Sequence, residues 1–194
     1  MKVKDIFGDI PTLETERLIL RKLTMDDAED LFEYSSEPEV SKYLPWETHR
    51  TIGDSKEFIS MVLELYETGQ LAPWGIMLKE NEKLVGTIDF VHWLPKHHRA
   101  EISFVLSKKF WGNGYILEAT RRLLCFGFEQ MELQKIEALS MIENVQSQRV
   151  LQKLGMRFEG VLRNHWWVKD RFRDIVQYSI LKKEFMEKFG LPSD

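Results

Sequence analysis

The sequence predicts a mixed α/β protein built around one sheet, as a single domain spanning residues 1–194. Three observations carry that expectation. Of the 194 residues, 43% are hydrophobic and 30% charged, enough apolar material for one sizeable core. Strand-like and helix-like stretches follow one another in the order β-α-α-β-β-β-α-β-α-β-β. No internal repeat, low-complexity tract or Pro/Ser-rich linker separates them.

Each element has a local reason. ERLILRKL, Glu16 to Leu23, alternates polar and apolar residues as a half-buried strand does. TMDDAEDLFEYSSEPEV follows, with Thr24 at a capping position and acids where the helix dipole favours them. Leu31, Phe32 and Tyr34 are its expected buried face, and Pro38 its end. SKYLPWETHR, Ser41 to Arg50, reads as a loop rich in rings and polar groups. GDSKEFISMVLELYETG reads as a second helix, with Phe58, Ile59, Val62, Leu63 and Leu65 as its apolar stripe and Gly69 as its stop.

Three strands are then expected, at Ala72 to Lys79, Lys83 to Trp93 and Arg99 to Leu106, the first two joined as a hairpin by the polar turn KENEK. YILEATRRLLCFGFEQM is helical, with Glu118 and Arg122 at the i,i+4 spacing of an ion pair. KIEALSMI, Lys135 to Ile142, is a strand, and NVQSQRVLQKLGM a short helix closed by Gly155. The tail holds two long strands around the turn KDR.

Composition excludes several classes. A net charge of −4 argues against nucleic acid as a direct partner, because phosphate binding calls for a dominant basic surface. The N-terminus has no apolar core of a signal peptide, and no apolar run approaches the ~20 residues that span a bilayer. A soluble, cytoplasmic protein without a membrane partner is expected. The single Cys125 excludes an internal disulfide, and its setting in RRLLCFGF suits a buried, inert thiol. No three of the five histidines form a ligand pattern with nearby acids, so no metal is expected.

The segment KKFWGNGYILEATRRLL, Lys108 to Leu124, places Gly112 and Gly114 between a strand and a helix. A helix start offers backbone N–H groups without intrahelical partners, and glycines let phosphate oxygens approach them. A strand-to-helix turn that needs glycine only for a left-handed conformation is the other reading, and both stand at this point. Walker A needs a string that the chain lacks. The Rossmann fingerprint needs a third glycine where Leu117 sits.

KKFWGNGYILEA resembles the pyrophosphate-binding segment of GNAT-type acetyltransferases, with Lys109 in the usual Gln/Arg position. Within that superfamily the W-G-x-G-Y-x-x-E-A string is similar to the RimJ/RimL-like branch. Other segments agree in order. LETERLILRKLTMDDAEDLF resembles the opening strand and helix, EPEVSKYLPW the acceptor-side loop, and RAEISFVL the fourth strand. ENVQSQRVLQKLGMRFEGVLRN resembles the N-x-x-S…K-x-G-F-x-x-E-G segment, with Met156 in place of Phe, and DRFRDIVQYSILKKEF the closing strand. The likeness covers roughly Thr12 to Phe185.

The resemblance implies a GNAT fold: a central, mostly antiparallel mixed sheet of about seven strands, flanked by helices, with the fourth and fifth strands splayed. It implies acetyl-CoA as co-substrate and a primary amine as acceptor, either a protein N-terminus or a small amine. A non-catalytic acyl-CoA sensor and a longer acyl donor are the rivals, and a homodimer is an open alternative. Phe104, Val105 and Leu106 would then offer backbone groups to pantetheine. Lys109, Phe110, Trp111, Gly112, Asn113 and Gly114 would cradle the pyrophosphate. Asn144 would bond pantetheine and Ser147 would protonate the departing sulfur, although both could simply cap a helix.

Glu101 is the expected general base, as an acid inside an apolar strand, with an ion pair to Arg99 or an exposed sheet position as the alternative. RNHWWV carries no carboxylate, so the late acid of some relatives does not transfer. Trp46, His92 and Trp166 are the expected acceptor-side contacts.

Overall fold

The structure, a computed structural model, describes residues 3–190, so the outermost residues of the expected 1–194 span lie outside the described ones. Its backbone forms one eight-stranded sheet. The strands are β1 (Leu13–Glu14), β2 (Leu18–Arg21), β3 (Trp74–Leu78), β4 (Leu84–Leu94), β5 (Arg99–Leu106), β6 (Lys135–Met141), β7 (Arg157–Val168) and β8 (Arg171–Leu181). They lie in the order β1-β2-β3-β4-β5-β6-β8-β7, antiparallel at every pairing except β5–β6. The eighth strand, beyond the about seven expected, is the two-residue β1, too short to show any alternation.

Among the described residues seven helices accompany the sheet: α1 (Val3–Phe7), α2 (Ala28–Ser35), α3 (Pro38–Ser41), α4 (Ile52–Thr68), α5 (Tyr115–Glu129), α6 (Val145–Lys153) and α7 (Lys182–Phe189). Thr24 forms a reciprocal capping box with Asp27, through one 3-10 turn ahead of α2. Leu31 and Tyr34 are buried as expected, and Phe32 is half-buried. Pro38 does not merely end a helix. It opens α3 from the first turn, where a missing N–H costs nothing. Gly69 closes α4 at φ +65°. Lys169 and Asp170 both take positive φ, which gives the β7–β8 hairpin the tight two-residue turn that matches strand twist.

Two faces follow from the alternation. Phe90 of β4 and Ile136 of β6 lie against Gly127, so α5 covers that side. In β5, Ala100 and Ile102 belong to the same buried side. The opposite face carries Thr87 and Asp89 on β4, paired with Val105 and Ser103 of β5, and Tyr34 of α2 bonds Thr87 there. Trp74, Phe90, Phe128 and Phe185 are fully buried, and Cys125 lies in the same core as an unpaired thiol that burial pushes up in pKa. Among the described residues no helix is long and apolar enough to cross a membrane.

Candidate active site

β5 and β6 pair only from Arg99↔Lys135 to Ile102↔Ala138. Beyond that point β5 keeps β4 as a neighbour through Leu106, while β6 keeps β8 through Met141. The two strands therefore part, and one edge of Ser103 to Leu106 has no strand beside it. Phe104 and Val105 are half-buried there, and Leu106 is buried.

The chain then turns into α5. Gly112 and Gly114 sit at φ +83° and +81°, conformations that other residues adopt only at a cost. A Cβ on Gly112 would meet nothing within 4 Å, and one on Gly114 would meet only Arg17 Nη2 at 3.5 Å. Gly114 is the N-cap of α5 and supplies no capping side chain. The bend therefore combines both sequence readings: left-handed backbone and open helix-start donors in one place.

The bend is braced from the other end of the chain. Arg17 Nη1 donates to Asn113 O at 3.1 Å, and its Nη2 lies 2.6 Å from Glu118 Oε2. Thr15 Oγ1 and Arg17 N donate to the other Glu118 oxygen, and Arg17 stacks 4.4 Å above Tyr115. Glu118 thus pairs with Arg17 and not with Arg122 as its spacing suggested; a guanidinium donating through both Nε and Nη2 to Oε2 outcompetes a solvated helix neighbour. Lys109 Nζ is held 2.6 Å from Glu33, and Lys108 Nζ 2.6 Å from Glu39, so neither ammonium is spent on the bend itself. Trp111 Nε1 donates to Leu106 O at 2.8 Å, and Phe110 packs edge-on to Tyr115. These contacts order the segment from Lys109 to Gly114 as one unit.

Asn144 caps α6, its Oδ1 accepting from Ser147 N at 3.2 Å. The capping reading is therefore realised, but it uses only one end of the amide. Among the described residues the Asn144 NH2 and the Ser147 hydroxyl have no partner.

Glu101 is half-buried on the face opposite α5, with His92 Nδ1 3.3 Å from its Oε2 across the β4–β5 ladder. Arg99 is not its counter-ion, since Arg99 Nη1 donates to Glu137 at 2.7 Å. Burial raises the Glu101 pKa and nearby Glu137 adds to the rise, while His92 and His165 oppose it. Sequence reasoning missed Asp89, two positions from Glu101 in the ladder. Burial and the Glu101 charge push its pKa up to about 7. A lone acid in the apolar strand KLVGTIDFVHW was the same signal that singled out Glu101. Glu159 is occupied structurally, by Ser179 and by Lys135 at 3.0 Å.

Trp46 is half-buried beside His49 in a cavity above Val105. Trp166 stands elsewhere, with Met141, Val168, Ile175 and Tyr43, on the β6 side of the parting. The two rings wall opposite flanks, because the loop after α3 sends Tyr43 to one and Trp46 to the other. His92 is largely exposed. Among the described residues no group of three or more His, Cys, Asp or Glu could hold a metal ion.

Residues 17–157 match the family model described as an acetyltransferase (GNAT) domain, and the chain belongs to that family. An uncharacterised N-acetyltransferase, p20, of Bacillus licheniformis is 36% identical over 174 residues, covering 90% of this chain and 98% of its own. A crystal structure of a GNAT-family acetyltransferase from Bacillus anthracis superposes with a TM-score of 0.79 at 32% identity, over 90% of this chain and all of that one. The microcin C7 self-immunity acetyltransferase MccE, solved with acetyl-CoA and AMP, shares the fold at 20% identity, with a TM-score of 0.77 and coverage of 86% and 93%. The protein is an N-acetyltransferase of GNAT type.

Proposed function

We propose that this protein moves the acetyl group of acetyl-CoA to a primary amine by direct attack within a ternary complex. One observation carries the reading: a strand edge without a partner, Ser103 to Leu106, runs directly into the positive-φ bend at the uncapped start of α5. Pantetheine amides match the strand edge, and the diphosphate matches helix-start N–H groups. Lys109, paired with Glu33, stands in the position of the family's Gln/Arg, beside the proposed phosphate site.

In this reading Glu101 takes a proton from the acceptor ammonium, directly or through water. The freed amine nitrogen bonds to the thioester carbon, backbone N–H groups of β5 stabilise the charge that develops on oxygen, and the carbon–sulfur bond breaks. The leaving thiolate takes a proton from the Ser147 hydroxyl, and the proton shed by the newly acylated nitrogen restores that hydroxyl. A thiol pKa near ~8.5 means that this step needs modest help only. Resemblance to RimJ/RimL proteins makes a protein N-terminus one source of the amine, and a free small amine is the other.

The test pairs calorimetric titration of acetyl-CoA with thiol release in the presence of mixed amines and peptides. Wild type should bind and turn over, and Gly114→Val should lose binding. Tight binding with no turnover on any acceptor would instead mark a sensor, and retained affinity in Gly114→Val would overturn the cradle.

A further inference from the structure

Above the Thr87–Val105 pair lies a half-open cavity of about 240 Å³, flanked by α2, α4 and the loop that carries Trp46. It is smaller than the ~300–1,000 Å³ of sites that take whole drug-sized ligands, so it suits one side group of a larger acceptor. Leu31, Trp46, Phe58 and Met61 form its apolar wall. No Asp, Glu, Lys or Arg is among its lining residues.

Ser35 Oγ, the Tyr34 hydroxyl and His49 Nδ1 are already committed to the protein. Ser35 Oγ donates to Leu31 O at 2.8 Å and lies 2.8 Å from His49 Nδ1, which also meets Ser55 Oγ at 2.8 Å. The Tyr34 hydroxyl bonds Thr87, and burial pushes its pKa far above the ordinary phenol range. Burial also lowers the His49 pKa, which keeps the ring neutral near pH 7. The recess therefore has no charge with which to meet a second ammonium, and it would strip water from one.

Position ties it to the chemistry. Val105, Ser103 and Glu101 share one face of β5, each about 7 Å from the next. Asp89 faces Ser103, one such step from the cavity floor, and Glu101 lies two steps away on the same face.

Resting on the acetyltransferase reading, we propose that the acceptor carries one bulky, uncharged apolar group, aromatic or branched aliphatic, and that this cavity selects it. A polyamine is correspondingly a poor acceptor.

Thiol release with acetyl-CoA tests this with two arms. Free amines are 2-phenylethylamine, 3-methylbutylamine and spermidine; peptides are otherwise identical tetrapeptides beginning with Phe, Leu, Ser or Lys. Apolar members should exceed spermidine and the Ser- and Lys-initiated peptides at least tenfold in kcat/KM, and the faster arm names the source of the amine. Met61 is 51% exposed, so Met61→Glu should fold. It should lower kcat/KM for apolar acceptors at least tenfold and narrow or reverse the margin over spermidine, with the KM for acetyl-CoA as control.

Equal or better use of spermidine by wild type, or an unchanged preference in Met61→Glu, overturns the inference and leaves the transferase reading intact. If no amine is acetylated, the transferase reading fails and binding alone judges the cavity. Calorimetry should then show saturable heat with 2-phenylethylamine for wild type and none for Met61→Glu; no heat with wild type overturns the inference.

Discussion

Glu101 and Asp89 occupy neighbouring positions of one ladder; burial raises both pKa values, the Glu101 charge adds to the rise of Asp89, and Glu137 adds to that of Glu101. The proposed base must be ionised to accept a proton. Activity should therefore fall with decreasing pH through a pKa above the ordinary glutamate value, and Glu101→Gln should lower kcat and change that acid limb. A pH–kcat/KM profile with the same limb in the variant would remove Glu101 from the role. Asp89 gives a second test, through stability. Its pKa rises on folding from 3.8 to about 7, so the folded state holds a proton that the unfolded chain releases between those values. Stability from this group is present below pH 4 and lost as pH rises to 7. Asp89→Asn should then raise stability at pH 8 by up to about 4 kcal/mol and change it little at pH 4, as read by denaturant melts.

At the level of elements, α6 and the turn into α5 each do two jobs that substitution can separate. Asn144→Asp keeps the oxygen that accepts from Ser147 N and removes the free NH2. It should preserve the melting temperature while raising the KM for acetyl-CoA severalfold. Asn144→Ala should lose both, with about 1 kcal/mol of stability from the missing cap. Thermal melts beside Michaelis constants decide it, and an unchanged KM in Asn144→Asp would leave the residue with capping alone. Gly114→Val also carries a backbone cost. At φ +81° a branched residue is strained by ~1–2 kcal/mol, so its lost cofactor affinity should come with a modest drop in stability.

Across the whole molecule, Arg17 links the second strand to the start of α5, almost a hundred residues later along the chain. Four contacts converge there: Glu118, Asn113 O, the Tyr115 ring and the neighbouring Thr15–Glu118 bond. Arg17→Ala should cost about 1 kcal/mol, as expected for a partly exposed ion pair. Its larger effect should be on acetyl-CoA affinity, because the bend would lose its brace. Calorimetric titration against a denaturant melt separates the two, and unchanged affinity would make the brace purely structural.

How much of this was legible beforehand depended on the range of the interaction. Strand alternation, the Thr24 cap, Gly69 and the Gly112–Gly114 bend are local, so the residues themselves announced β2, the start of α2, the end of α4 and the mouth of α5. The family likeness of KKFWGNGYILEA and ENVQSQRVLQKLGM added the acetyl-CoA chemistry. The two-residue β1, Arg17 as the partner of Glu118, Glu137 as the partner of Arg99, and Asp89 as the neighbour of Glu101 were not announced. Each depends on which segments the sheet sets side by side. Local propensity and periodicity thus determined the elements, and the family likeness the class of enzyme. Only the tertiary structure decided which charges meet, where β5 leaves β6, and that the space above Val105 is apolar and uncharged, because those are properties of surfaces assembled from distant parts of the chain.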